Sequence, residues 1–222
     1  SHHEDGTGQN EMDFGYADAM RAADNAITFP SVVRTVAMRN GLWADFTPKP
    51  IADESGNGMH INLSLAMPLS EGARDAFMAG LMEHICEITA FLNPLDASYA
   101  RLGEHKAPRY VTWSPENRSQ LIRIPAAKGE YERLELRSPD PAGNPYLAFA
   151  LILAAGADGI RRNLVAPPPT NVNLFTADAS ITCKLRQLPR TRAEAAKIAR
   201  ESAFVRSVVP AGIIDAYTLD LD

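Results

Sequence analysis

Apolar residues recur at helical spacing through Tyr16, Ala19, Met20, Ala23 and Ile27, and the spacing resumes after Pro30 at Val32, Val33, Val36 and Ala37 until Asn40-Gly41. The pattern predicts two helical pieces bent near Pro30, because proline removes an intrahelical donor and crowds the preceding turn. Leu42 to Thr47 then reads as a strand closed by the Pro48-Lys49-Pro50 turn. After a polar, glycine-containing loop, Met59 to Leu65 alternates strictly between apolar and polar positions, the signature of a strand buried on one face. Ser70 and Glu71 open a further helix whose apolar face is Phe77, Leu81, Ile85, Ile88 and Leu92, and Asn93-Pro94 stops it.

Short strands are expected at Arg109 to Trp113, Ser119 to Ile124 and Tyr131 to Arg137, as neighbours in one antiparallel sheet. Asn144-Pro145 supplies a cap and a first-turn proline for a helix to about Ile160, so apolar on nearly every side that burial is expected all round. The prolines at 167 to 169 make a stiff extended connector. A capping box, Thr191 to Glu194, starts a tail of short helices broken at Ser202 and Pro210. No internal repeat and no second composition regime is visible. The expected class is α+β, a mostly antiparallel sheet with helices packed on one side, in one domain over residues 1–222.

Composition narrows the partners more than the fold. The 222 residues are 45% apolar and 22% charged with a formal net charge of −5, which sets aside disorder and gives no reason to expect nucleic acid. The longest apolar stretch, Tyr146 to Ala157, falls short of the roughly 20 residues that cross a bilayer, and no leading run resembles a signal peptide. The expectation is a cytoplasmic protein without a membrane partner. Cys86 and Cys183 lie far apart with no metal or redox spacing and read as reduced thiols. The opening segment, Ser1 to Asn10, is polar, and its paired histidines also allow a reading as the remnant of a purification tag.

Chemistry enters through the alternating segments. In Met59 to Leu65 the polar face carries His60, Asn62 and Ser64, although a solitary strand histidine is more often structural than a ligand. In Arg133 to Arg137 the leucines point one way and Arg133, Glu135 and Arg137 the other, which by itself also fits a solvated row of ion pairs. The accumulation of Arg101, Arg118, Arg123, Arg133 and Arg137 changes the balance, because the guanidinium fork suits bidentate capture of phosphate and carboxylate. Combined with Glu135 and His60, it suits a site where a divalent cation bridges acidic side chains to nucleotide phosphates while arginines neutralise a transferring phosphoryl. No Walker A loop or dinucleotide fingerprint is present. Glu4 and Glu11 add oxygen ligands if the opening segment folds against the sheet.

The runs SHHEDGTGQNE (1 to 11), SGNGMHINLSL (55 to 65), NRSQLIRIP (117 to 125) and RLELRSPDPAGNPYLAFALILAAGADGI (133 to 160) resemble, in order and spacing, the successive motifs of the glutamine synthetase catalytic domain. The resemblance implies a ligase that phosphorylates the γ-carboxylate of glutamate with ATP and lets ammonia attack the γ-glutamyl phosphate. It also implies Mg²⁺ or Mn²⁺ ions and a homo-oligomeric ring. By motif, Glu4 and Glu11 resemble ligands of one metal, and His60 and Glu135 ligands of a second. Arg101 resembles the grip on the substrate carboxylate, Arg118 the group at the transferring phosphoryl, and Arg137 a contact to both. Arg123 and Arg133 resemble nucleotide-phosphate contacts, Ser64 lies near the nucleotide, and Gly56 resembles a backbone contact to the amino acid.

The sequence departs from the family pattern in places that bear on chemistry. The family's N-terminal domain and an early strand with two metal-binding glutamates do not precede Ser1, so the 222-residue chain by itself is expected to bind metal weakly and to be inactive. In the flap, Leu102-Gly103-Glu104-His105-Lys106-Ala107-Pro108, Lys106 stands where a glutamate usually helps deprotonate ammonium. Either Glu104 or His105 serves as the base, or another amine is the substrate, or the protein is a non-catalytic binding or regulatory paralogue. Asn62 and Ser55 replace a histidine and an asparagine common in the family. A guanidino kinase, whose sheet is related, is disfavoured because no reactive cysteine is evident.

Overall fold

The computed structural model describes residues 1–65, 72–125 and 133–219. It opens on a hairpin in which β1 (His2–His3) pairs antiparallel with β2 (Asn10–Glu11). Helix α1 (Ala19–Arg39) follows, started by Asp18, whose carboxylate accepts from the Arg21 amide. Pro30 sits inside α1, so the two expected pieces are one helix. The helix lies at the surface, with Ala23 its buried residue and Met20, Ile27, Val32 and Val36 exposed, where water can satisfy the carbonyl that Pro30 leaves unbonded. Leu42 to Thr47, expected as a strand, finds no ladder partner among the described residues, and Leu42 and Trp43 are exposed.

Strand β3 (Ile61–Leu63) realises the first alternating segment. The expected helix start at Ser70 and Glu71 lies outside the described residues. From Ala73 the helix is present as α2 (Ala73–Leu92), burying Phe77, Leu81, Ile85, Ile88 and Leu92 as the spacing predicts, with Asn93 at its end. A short helix that the pattern did not announce, α3 (Asp96–Arg101), delivers Arg101. The remaining strands are β4 (Trp113–Ser114), β5 (Ile122–Arg123) and β6 (Leu134–Leu136). They are shorter than expected, and the Tyr131 end of the last expected strand lies outside the described residues.

The sheet order is β3-β6-β5-β4. Strand β6 pairs antiparallel with both β3 and β5, so the sheet is mostly antiparallel as expected, whereas β4 and β5 are parallel, which corrects the expectation that the three short strands are all antiparallel neighbours. In the connection between β4 and β5, Asn117 Oδ1 accepts from both the amide and the hydroxyl of Ser119. Because side chains alternate across a strand, Ile61, Leu136 and Ile122 form one buried row, and Asn62, Glu135, Arg123 and Ser114 form the row behind it.

Helix α4 (Pro145–Arg161) is capped by Asn144, whose side chain accepts from the Tyr146 and Leu147 amides. It packs most extensively on α2. The two helices approach so closely that a Cβ on Gly80 would overlap the Ala155 carbonyl oxygen and lie 2.8 Å from Gly159 Cα. Tyr146 and Leu153 remain exposed, so α4 is buried on one face rather than all round. After the proline connector come α5 (Ala179–Thr182), α6 (Arg192–Glu201), α7 (Ala203–Val208) and α8 (Ala211–Thr218). Thr191 caps α6 and Ser202 caps α7, as the tail pattern predicts, but the Glu194 carboxylate accepts from the Arg190 amide rather than completing a capping box. No helix among the described residues is long and apolar enough to cross a membrane.

Candidate functional site

The polar row of the sheet is the foundation of the site. Asn62 and Arg123 lie directly across from Glu135 on its two neighbouring strands. Glu135 is 4% exposed, and such a carboxylate stays ionised only with compensation. Its Oε1 accepts from Arg137 Nη1 at 2.7 Å, its Oε2 accepts from Arg123 Nε, and His60 Nδ1 lies 3.4 Å from Oε1. The two readings of the Arg-Glu-Arg segment are thereby decided: Glu135 and Arg137 form a buried ion pair, not a solvated surface row. Partial burial, then the positive charges of Arg137, Arg101 and Arg123, hold His60 well below its ordinary pKa. Its imidazole is therefore neutral, the form that ligates metals.

The remaining arginines surround this centre in different states. Arg133, half-buried, donates from Nε to Asn62 Oδ1 at 2.9 Å, beside the exposed Ser64 that follows β3. Arg118 is exposed on the loop after β4, near enough to add to the positive field at Arg137. Arg101 is buried and donates to the Ser138 carbonyl at 2.8 Å and the Arg137 carbonyl at 3.2 Å. Burial lowers its pKa to about 10 against the opposing pull of Asp140. Gly56 closes over that side chain: a Cβ there would lie 2.9 Å from Arg101 Cγ and would overlap the Pro48 carbonyl. Gly56, for which the resemblance implies a backbone contact to the amino acid, lies in this structure against Arg101.

The N-terminal hairpin docks onto the same end of the sheet. Gln9 Nε2 donates to the Gly56 carbonyl at 3.1 Å and to Asn57 Oδ1 at 2.9 Å, and the Thr7 hydroxyl donates to Glu54 at 2.7 Å. Docked in this way, the hairpin presents His2, Glu4 and Glu11 with their candidate ligand atoms all within 4.8 Å of one another. A hydrogen bond from Glu11, with the Lys106 ammonium behind it, lowers the pKa of Glu4 to about 2, while burial and the Glu4 charge raise that of Glu11. Such a pair separated by its surroundings is a charge-rich feature rather than a loose tail. Glu4 also acts on the His60 imidazole, so the hairpin and the sheet row belong to one electrostatic neighbourhood.

The sequence reading missed His2 and Asp5. A usable signal was present: two polar segments flank Asp5-Gly6-Thr7-Gly8, a hairpin composition, and period-2 alternation sets His2 beside Glu4. The sequence marks Lys106 by its place in the flap but not the partners it meets. Its Nζ lies 2.6 Å from Asp5 Oδ2 and 3.2 Å from Glu4 Oε2. Glu104 goes elsewhere. It is exposed and, together with His105, the other candidate base, lines a cleft of about 520 Å³ with Arg109, Tyr110 and Arg190, away from the Glu135 row.

The donor sets differ in how well they suit a divalent ion. His2, Glu4 and Glu11 offer one nitrogen and two oxygens on a half-exposed edge, a set that fits Mg²⁺ or Mn²⁺ with positions left open. His60 and Glu135 offer a neutral imidazole and a carboxylate whose two oxygens are already shared with arginines. That pair supplies part of a second set.

A family model described as glutamine synthetase, catalytic domain, matches residues 1–219. Glutamine synthetase from Thermus thermophilus is 45% identical over 94% of this chain and 50% of its own length. The enzyme from Methanosarcina mazei is 42% identical over 98% of this chain and 52% of its own. Among solved structures, a GmaS/ADP complex superposes with a TM-score of 0.82 at 34% identity, covering 92% of this chain and 50% of that one. Apo GmaS without ligand gives a TM-score of 0.81 with the same identity and coverage. The chain spans about half the length of the relatives it matches.

Proposed function

The chain belongs to the glutamine synthetase catalytic-domain family, and from that premise we propose that the whole protein is an ATP-dependent carbon–nitrogen ligase that joins ammonia or another amine to a glutamate-like γ-carboxylate. The observation that carries the reading is Glu135, buried between Arg137 and Arg123 with His60 at 3.4 Å, on the sheet row that the carboxylate-bearing hairpin adjoins. Arg101, Arg123 and Arg137 gathered around one buried acid leave an excess of positive charge that is costly to assemble without anionic ligands to neutralise it. Phosphate and carboxylate are the ligands that a guanidinium fork holds best.

In this reading Arg123 and Arg133 orient the nucleotide phosphates, with Ser64 beside them. Arg118 and Arg137 stabilise charge on the phosphoryl as it passes to the carboxylate, and Arg101 and Gly56 shape the acid pocket. His2, Glu4 and Glu11 hold one divalent cation, while His60 and Glu135 contribute to a second. Bound Mg²⁺ or Mn²⁺ supplies charge neutralisation at the phosphates. That a structure of this fold is a GmaS/ADP complex supports a nucleotide as ligand of the whole protein. The substrates are small molecules, and the whole protein is a cytoplasmic homo-oligomeric ring.

Product analysis of the whole protein with ATP, Mg²⁺, glutamate and a panel of amines tests the reading. An amide formed in step with phosphate release is expected, and neither product under any combination would overturn it. A second reading, a non-catalytic paralogue, is favoured by Lys106, whose ammonium lies on the carboxylates that would attract a cationic amine. Lys106→Glu separates the two. A large gain of ammonia-dependent turnover supports the ligase, and complete inactivity of both forms supports the paralogue.

A further inference from the structure

We propose that Lys106 is a built-in cation that competes with a divalent metal ion for the hairpin carboxylates, so that docking of the 103–107 turn and metal uptake at His2, Glu4 and Glu11 oppose each other. This rests on the reading of those three residues as a metal site.

Glu4 is the shared group. Its Oε1 faces His2 Nε2 at 3.8 Å, on the side where His2 also lies 3.5 Å from Glu11, and its Oε2 takes Lys106 Nζ at 3.2 Å. A dication among His2, Glu4 and Glu11 would therefore sit one carboxylate away from the ammonium. Like charges at that separation repel, with solvent screening them in part: Lys106 is 41% and His2 54% exposed, and Glu4 between them 24%. Asp5 gives Lys106 its second partner at 2.6 Å, which holds the ammonium at the cluster instead of letting it swing into solvent.

The backbone reinforces this placement. Gly103 adopts φ of +88° and His105 φ of +48°, a conformation that non-glycine residues take at a cost, and the Ala107 amide closes the turn on the Glu104 carbonyl at 2.9 Å. The Lys106 carbonyl accepts from Arg137 Nη2 at 3.2 Å, while Nη1 of the same guanidinium holds Glu135. The turn is thus tied at one residue to both halves of the site: by its side chain to the hairpin and by its carbonyl to the arginine row. Displacing the ammonium with a metal ion loosens the turn, and docking the turn weakens the metal.

Mn²⁺ binding to the whole protein, followed by the paramagnetic resonance of the free ion, tests this with Lys106→Met, Lys106→Arg and Glu11→Gln. The Glu11-dependent site should bind Mn²⁺ on the order of tenfold tighter in Lys106→Met, the scale of a typical coupling between neighbouring sites, and stay near wild type in Lys106→Arg. Hydrogen exchange of the 103–107 amides in the unsubstituted protein should quicken when Mn²⁺ is added, a readout that needs no variant to fold. Equal or weaker Mn²⁺ binding in Lys106→Met, or exchange that slows on adding Mn²⁺, overturns the antagonism while leaving the metal site standing. Absence of any Glu11-dependent Mn²⁺ binding overturns the metal site itself, and the antagonism with it.

Discussion

Replacing Glu135 with glutamine removes the negative charge on which two guanidiniums and an imidazole converge. The amide keeps the shape of the side chain and one acceptor oxygen, but its NH₂ group then faces an Arg donor. Glu135 and Arg137 have side-chain exposures of 5% and 3%, so Arg137 is left as a buried, uncompensated charge. Breaking a buried pair by removing one partner costs about 3–5 kcal/mol. The Arg123 contact is worth less, because that side chain is 19% exposed and can turn toward water. A net loss of about 3 kcal/mol follows, equivalent to a fall in Tm of roughly 6–12 °C for a chain of this size. Differential scanning calorimetry of the ligand-free protein measures it. Adding Arg137→Met to Glu135→Gln should recover part of the loss, since the orphaned charge is removed. A Glu135→Gln protein that melts with the wild type would refute the reasoning, because it would mean that Glu135 does not hold the arginine row.

Other consequences can be checked separately. Gly80→Ala drives a methyl group into the α4 backbone and should destabilise the protein by about 1–3 kcal/mol or more in urea, whereas an unchanged midpoint would contradict the close α2–α4 approach. The hydrogen bond from His84 Nε2, at 2.9 Å, holds the Asp158 carboxyl below its ordinary value of 3.8, so Asp158 contributes stability above pH 3.8 that is lost as the pH falls through its lower folded value. Carbon-detected NMR titration should show this depressed midpoint and its rise toward the ordinary value in His84→Ala; identical midpoints would rule out the contact. Arg101→Met removes the buried donors to the Ser138 and Arg137 carbonyls and should lower stability by about 2–3 kcal/mol. In the whole protein the same change should raise KM for the acid far more than KM for ATP, and equal effects on both would argue against its place in the acid pocket.

The elements most legible in the sequence are those whose pattern is local and whose burial is one-sided. The Phe77 to Leu92 spacing, the Asn144 cap and the alternations around His60 and Glu135 each place side chains by geometry that no distant contact alters. Leu42 to Thr47 has strand-like residues but no partner, and a strand exists only through pairing. The parallel direction of β4 against β5 follows the path of the loop between them, which hydrophobic spacing does not encode. The hairpin of His2 to Glu11 has two-residue strands and no apolar stripe, and it is held by Gln9 and Thr7 reaching residues more than forty positions away. For the same reason the positive charge of Lys106 could be read from the sequence, but not the carboxylates of Glu4 and Asp5 opposite it.

The central claim is that the arginine row around Glu135 serves transfer of a phosphoryl group from ATP to a carboxylate. Positional isotope exchange tests it without any amine: ATP labelled with ¹⁸O in the β,γ-bridge is incubated with the whole protein, Mg²⁺ and glutamate, and the label is located by ³¹P NMR. Migration of the label to non-bridging β positions only when glutamate is present is the predicted result. A label that stays in the bridge with glutamate bound, or that scrambles equally without it, would contradict the account.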